Sequence, residues 1–328
     1  MKRLGLVGVG AWGRRYIDTI GRRTDCSIAA YARATRTRLE GIPGASACDD
    51  WRSLVELAAR AHLDGVIAAT TPAHQLEVTS ACIAAGVPLL VEKPLGLSRP
   101  AVEDLRARFA ASQQKAPVVV DYVHLWAPAF VELKRRVSGR TSEIRDIRAE
   151  GFNQGPLRSW SSLYDYGPHD VSMCLDVLGE EAAFVLHRAE RIGSSTPGIE
   201  LFDARFELGG VPVHLRVGNG GATRARKFAV ALADDREIIY DDTRPPAGKL
   251  TDGGTPVAID EGRALDVVLT SFLASVTLWR EGRLPEHVAG ASLGFSANVN
   301  GILDAIAAGS ASSSPAARQR DEPSSGAP

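Results

Sequence analysis

Long apolar runs, charge of one sign, paired cysteines and lysine are all scarce in this chain of 328 residues, and each scarcity closes off a class of protein. No run of 18 apolar residues occurs, so no segment reads as a membrane-spanning helix. The net charge is −1, from 38 basic and 39 acidic residues without a block of either sign. That balance excludes the electrostatic footprint of a nucleic-acid or membrane-surface binder and leaves a small molecule as the expected partner. Cys26, Cys48, Cys82 and Cys174 stand far apart, with no CxxC or Cys/His pattern. They read as reduced, mostly buried thiols, and no metal site is expected. Met1-Lys2-Arg3-Leu4-Gly5 leads straight into a strand without a cleavage pattern, so a cytoplasmic location is expected. Six lysines stand against 32 arginines, which makes a lysine in a suggestive place informative. Lys93 is one.

What is present is ordinary globular sequence, 45% apolar and 23% charged, long enough for two domains. Strands are expected at 4–9, 27–32, 65–69, 89–92 and 118–122. Helical patterns lie between them at 12–20, 51–60, 73–85 and 100–111, with Asp50, Thr71 and Ser98 as caps. Alternation of this kind builds a doubly wound parallel sheet, so residues 1–122 read as an α/β Rossmann domain. Beyond 122 come helices at 128–137 and 168–178, then strands at 183–192, 201–208, 211–218, 227–232 and 237–240. Helices at 265–279 and 291–306 close a second, α+β domain over 123–308. Residues 309–328 show no period and are expected to be a disordered tail.

The first expected strand ends in Gly8-Val9-Gly10-Ala11-Trp12-Gly13, a GxGxxG between strand and helix. Gly8 permits a tight turn, Gly10 lets backbone approach a pyrophosphate, and Gly13 lets helix pack on strand. Ala11 and Trp12 would line the same cofactor. A glycine-rich turn without a ligand would look similar in isolation, but not in this βαβ context. Two later strand ends belong to the same edge. Thr70, Thr71, Pro72 and His74 would line the cofactor cleft, although capping explains Thr71 and Pro72 equally well. Glu92-Lys93-Pro94 puts two opposite charges at the end of a strand that should stay apolar. A lysine there offers a compact, tunable ammonium to an oxygen; the plainer reading is an ion pair with Glu92.

Further along, Asp165-Tyr166-Gly167-Pro168-His169-Asp170 offers acid and base chemistry. Pro168 fits the first position of a helix running to Gly179, which would place His169 in its first turn. There the dipole would hold the imidazole neutral, with Asp165 just outside the helix. The dinucleotide itself is expected to be NADP rather than NAD. An acidic residue about 20 positions past the glycines marks NAD, whereas Ala32 is followed by Arg33, Thr35, Arg36 and Arg38 with no carboxylate before Glu40. Arg33, helped by Thr35 or Arg36, would hold the 2′-phosphate; a solvated basic loop is the alternative.

The GVGAWG opening, Glu92-Lys93-Pro94 and the D-x-G-x-H of Asp165 to His169 together resemble the glucose-fructose oxidoreductase, inositol dehydrogenase and MocA (Gfo/Idh/MocA) family, up to about residue 308. The resemblance implies a Rossmann domain followed by a domain on a large open-faced mixed or antiparallel sheet, with the nicotinamide between them and a homodimer or homotetramer as the assembly. It also implies that Lys93, Asp165 and His169 are the catalytic residues of a dehydrogenase that interconverts a secondary alcohol and a ketone on a sugar, polyol or related polyhydroxylated substrate. Substrate contacts are expected from the loop 152–160, at Asn153, Gln154 and Arg158, and from His169. Ser172 and Val123-His124 depart from the family pattern and put those contacts in question. A cofactor-retaining glycosidase and a non-catalytic dinucleotide sensor are the other classes. Retention of Lys93, Asp165 and His169 argues against the sensor.

Overall fold

The computed structural model describes residues 1–32, 42–153, 157–193, 198–220, 223–260, 262–283 and 292–312. Its contacts separate two units, Met1–Ala127 with Gly262–Asn300, and Pro128–Glu261 with Gly301–Pro328.

In the first unit β1 (Lys2–Val7), β2 (Cys26–Ala32), β3 (Ser46–Cys48), β4 (Gly65–Ala68), β5 (Leu89–Glu92) and β6 (Val118–Asp121) form a parallel sheet in the order β3-β2-β1-β4-β5-β6. The crossovers carry α1 (Ala11–Ile20), α2 (Trp51–Ala59), α3 (Pro72–Ala85) and α4 (Arg99–Ala111). Every residue of β4 and β5 is buried, as a sheet covered on both faces requires. Strand order reverses between β1 and β4, the switch point at which ligands of such sheets bind. Of the expected caps, Asp50 accepts the N–H groups of Arg52 and Ser53, whereas Thr71 and Ser98 make no side-chain cap.

Residues 265–279 were expected to help close the second domain. The helix forms, as α7 (Ala264–Arg280), but its stripe of Leu265, Val268, Leu269, Phe272, Leu273 and Val276 belongs to the core of Leu4, Leu6, Ile67 and Leu90. Gly65 makes room for it, since a Cβ there would lie 2.9 Å from the Phe272 ring. Arg23 fastens the helix by donating to the Asp266 carbonyl and to Thr270 Oγ1, both at 3.0 Å.

In the second unit the strands are β7 (Ile144–Phe152), β8 (Phe184–Gly193), β9 (Glu200–Leu208), β10 (Val211–Gly218), β11 (Ala225–Leu232), β12 (Glu237–Asp241), β13 (Leu250–Asp252) and β14 (Thr255–Pro256). They form one mixed sheet in the order β14-β13-β12-β11-β7-β10-β9-β8, parallel only between β7 and β10. Helices α5 (Pro128–Val137) and α6 (Ser162–Leu178) pack against it. β7 lies near the middle of the sheet, yet it was not expected as a strand, because Arg145, Asp146, Arg148 and Glu150 disguise its buried Ile144, Ile147 and Ala149. One face of the sheet bears Arg148 with Glu237, Arg216 with Glu150 and Asp203, and His214 with Asp203, a surface neutralised in pairs.

The last helix, α8 (Leu293–Ser312), belongs to both units. In the first, Asn300 Nδ2 donates to the carbonyls of Leu95 and Ser98 at 3.1 and 3.3 Å. In the second, a Cβ at Gly309 would stand 2.8 Å from Leu186 of β8. The aperiodic tail expected from 309 is therefore helical as far as Ser312, its small residues packing without an apolar signal; residues 313–328 lie outside the described ones. No described helix is long and apolar enough to cross a membrane. The four cysteines are free, and Cys26, Cys82 and Cys174 are buried. Because Phe272 fills the interface between α7 and the sheet, Phe272→Ala should lower stability by about 3–5 kcal/mol, read from the urea midpoint. A loss below about 1 kcal/mol would show that α7 is not integral to that core.

Candidate active site

At the carboxyl edge of the parallel sheet the glycine loop has the geometry a dinucleotide needs. Gly8 has φ +89°, and a Cβ there would lie 2.3 Å from the Ala69 carbonyl oxygen. A Cβ at Gly13 would stand 2.1 Å from the Gly8 oxygen, so helix and loop can close only over glycine. Gly10 is different: nothing lies within 4 Å of where its Cβ would be. It precedes α1, whose first turn has no side-chain cap and no acidic residue, leaving oriented N–H groups for a pyrophosphate. Trp12 lies beside the loop with the Arg15 guanidinium 4.4 Å from its ring. These residues fit a dinucleotide.

Further along that edge, the Thr71 hydroxyl meets His74 Nδ1 at 2.9 Å, and the buried Thr70 hydroxyl has no partner among the described residues. Gln75 joins them by donating to the Thr70 carbonyl at 3.1 Å. Ala32 ends β2; Arg33 and Thr35 lie outside the described residues. Glu92 closes β5 and Lys93 follows it, both buried.

Two residues not singled out from the sequence join this pair. Asp121 closes β6 as the in-register neighbour of Glu92, and Tyr16 of α1 donates to Asp121 Oδ2 at 2.5 Å. All three are buried. Burial, and then the Asp121 carboxylate, push the Glu92 carboxyl well above the usual range, against the pull of Lys93. Burial pushes Asp121 up to about 6 although the Tyr16 hydroxyl and Lys93 favour its anion. Asp121 could have been found by the sign that exposed Glu92, a charge ending an apolar strand.

In the second unit α6 carries the other group of residues, and it starts six residues before the expected position. Ser161 caps it by accepting the Leu163 N–H at 3.2 Å. Buried Glu200 takes the Ser162 N–H and the Ser161 hydroxyl, each at 2.6 Å, and pairs with Arg191 at 2.8 Å. Pro168 is consequently inside the helix rather than at its first position. His169 is two turns in, so the helix-dipole argument for a neutral imidazole does not apply to it. Asp165 occupies the first turn instead of lying outside the helix. The two residues are four apart and share one face of α6. His169 is buried, and Asp165 pairs with Arg158 Nε at 3.4 Å. Arg158 in turn lies 5.6 Å from the Trp160 ring.

The residues behind α6 fix it to the sheet. Asp170 and Arg226 form a buried ion pair at 2.5 Å, next to a Gly151 whose missing Cβ would stand 2.5 Å from Asp170 Oδ2. Gly167 likewise admits Leu303, which a Cβ would meet at 2.7 Å. Ser172 donates to the His169 carbonyl at 2.8 Å, a bond within the helix. Asn153 is exposed at the end of β7, with its backbone N–H bonded to the Gly218 carbonyl at 3.3 Å; Gln154 lies outside the described residues. Among the described residues no group of three or more His, Cys, Asp or Glu side chains is placed to hold a metal ion.

The family model for an oxidoreductase family with an NAD-binding Rossmann fold matches residues 2–122, the segment that holds the glycine loop and Lys93. That segment belongs to the Gfo/Idh/MocA oxidoreductase family, and the chain as a whole is similar to its members. Inositol 2-dehydrogenase 2 of Saccharopolyspora erythraea is 27% identical, over 94% of this chain and 94% of its own. Myo-inositol dehydrogenase Hyg17 of Streptomyces leeuwenhoekii is 30% identical over 54% of this chain and 55% of its own. A crystal structure of a protein from Magnetospirillum magnetotacticum MS-1, described as an oxidoreductase, superposes with TM-score 0.77 at 28% identity, covering 93% of this chain and 99% of that one.

The glycines of the loop should have separable roles. Gly10→Ala should keep the wild-type melting temperature and lose most of its dinucleotide affinity, because its Cβ meets only the space a pyrophosphate would take. Gly8→Ala should cost about 1–3 kcal/mol of stability from its strained backbone. Calorimetric titration and thermal melts distinguish them, and a Gly10→Ala variant that binds dinucleotide like wild type would refute this assignment of the loop.

Proposed function

We propose that the protein interconverts a secondary alcohol and a ketone on a sugar, polyol or related polyhydroxylated small molecule, preferring NADP to NAD. The observation that carries this reading is the pairing of Asp165 and His169 on one face of α6, in a chain whose β5 ends at buried Glu92 and Lys93. Inositol dehydrogenases among the relatives support a polyhydroxylated substrate.

When bound, the nicotinamide supplies the hydride acceptor or donor. His169 takes the hydroxyl proton as general base at its imidazole nitrogen. Lys93 donates a hydrogen bond to the oxygen on which negative charge develops and stabilises that charge in a buried setting. Asp165, anchored by Arg158, keeps the imidazole oriented. Arg158 and Asn153 are the proposed contacts to the remaining hydroxyls. The assembly is proposed, on family resemblance, to be a homodimer or homotetramer through the open sheet face, and the location is proposed to be cytoplasmic.

The NADP preference rests on the residues after β2. Ala32 is its last residue, and the chain continues Arg33-Ala34-Thr35-Arg36 without a carboxylate before Glu40. A guanidinium grips a phosphate bidentately, whereas the acidic residue of an NAD site would repel it.

Lys93→Met and His169→Ala should each lower turnover by roughly 100-fold or more while dinucleotide affinity changes much less. Near-normal turnover in both variants, on whichever polyol or keto-sugar reports with the wild-type enzyme, would remove these residues from the chemistry. Titration with the two reduced dinucleotides should show wild type favouring NADPH and Arg33→Ala losing much of that preference. Tighter binding of NADH by the wild-type protein would overturn the assignment of Arg33.

A further inference from the structure

Glu92 and Asp121 end adjacent parallel strands as register partners, 4% and 0% exposed, and the hydroxyl of fully buried Tyr16 is bonded to Asp121 Oδ2 at 2.5 Å. Glu92 Oε1 and Asp121 Oδ1 are buried and receive no hydrogen bond from any described group. Tyr16 from α1 and Lys93, the residue after β5, act on this pair. Tyr16 supplies one hydrogen and no positive charge. One ammonium thus faces two buried carboxyls. Two buried carboxylates side by side cannot both ionise, because each raises the cost of charging the other.

We propose that Glu92 and Asp121 hold one proton between them, and that the single negative charge left on the pair is the counterion that keeps Lys93 an ammonium. The retained proton belongs on Glu92, the carboxyl raised more strongly, and the anion on Asp121, where Tyr16 stabilises it. Tyr16 and Asp121 are positioning residues acting through Lys93. The functional meaning of the device rests on the proposed role of Lys93, but its physical content does not. Without the anion, burial would favour the neutral amine, which cannot stabilise developing negative charge as an ammonium does.

The test exploits the six lysines of the chain. Isotope-labelled lysine is followed by NMR against pH in the full-length protein, with Lys93→Met identifying the Lys93 signal. Either Glu92→Gln or Asp121→Asn leaves one carboxylate, so each single variant should keep the Lys93 midpoint close to wild type. The Glu92→Gln/Asp121→Asn double variant keeps size and removes both carboxylates of the pair, and its Lys93 midpoint should fall by about one pH unit or more, a tenfold weaker hold on the proton. Comparable drops in both single variants, adding up in the double, would mean two independent charges and overturn the shared proton. An unmoved double variant would overturn the counterion. If the double variant does not fold, the reciprocal effect decides: Lys93→Met should raise the midpoint of the ionising carboxyl of the pair, followed by its infrared absorption, and an unmoved midpoint would overturn the counterion. The alkaline limb of kcat/KM should move with the midpoint. A midpoint that moves while the limb stays fixed leaves the counterion standing and removes Lys93 from the chemistry.

Discussion

Charge at the buried end of a parallel sheet is the constraint that organises the carboxyl edge of the first unit. β5 and β6 run buried to Glu92 and Asp121, and an unpaired carboxylate there would lose hydration worth several kcal/mol. Lys93 and the Tyr16 hydroxyl offset that loss from two directions. Tyr16 comes from α1, the helix that also opens onto the glycine loop, so the element offering N–H groups to the pyrophosphate contributes to the charge balance around Lys93. Tyr16→Phe would thus act on the charge of Lys93 rather than merely leave a small gap.

The second unit solves a different problem, that of holding a helix with a proline in its interior. Pro168 has no N–H to give the Tyr164 carbonyl, so the helix depends on contacts outside its own ladder. Glu200 and Arg191 secure its start, Asp170 and Arg226 its middle, and Gly167 allows Leu303 to approach. All three lie close to Asp165 or His169 in sequence or along the helix. Rigidity around Asp165 and His169 is thus supplied on either side of the break in the ladder.

How much of this was legible in the sequence follows from the range of each signal. Five strands of the first unit and the glycine loop are local patterns of apolar runs and turn residues, with boundaries within a residue or two of the observed ones at β2, β4, β5 and β6, whereas the three-residue edge strand β3 was not expected. The start of α6 was missed although Ser161 is a local cap, because the contact that fixes it, Glu200, lies 38 residues beyond the N–H it accepts. Pro168 gave a reasonable local sign for a helix start and was overruled by that distant contact. The stripe on α7 told that one face is buried but not which unit buries it. β7 was hidden by the charges on its outer face. Asp121 carried the same sign as Glu92 and went unused because the Tyr122 beside it prolonged the apolar pattern.

The central claim is that this chain oxidises a carbinol carbon by direct transfer to a nicotinamide, and isotope tracing tests it most directly. A panel of polyols, myo-inositol among them, deuterated at every carbinol carbon, is incubated with the enzyme and oxidised NADP, and the reduced dinucleotide is weighed by mass spectrometry. The account predicts that it gains one deuterium from the accepted polyol, and that Lys93→Met forms it far more slowly with the same label. Reduced dinucleotide without deuterium, or none formed with any member of the panel, would contradict it.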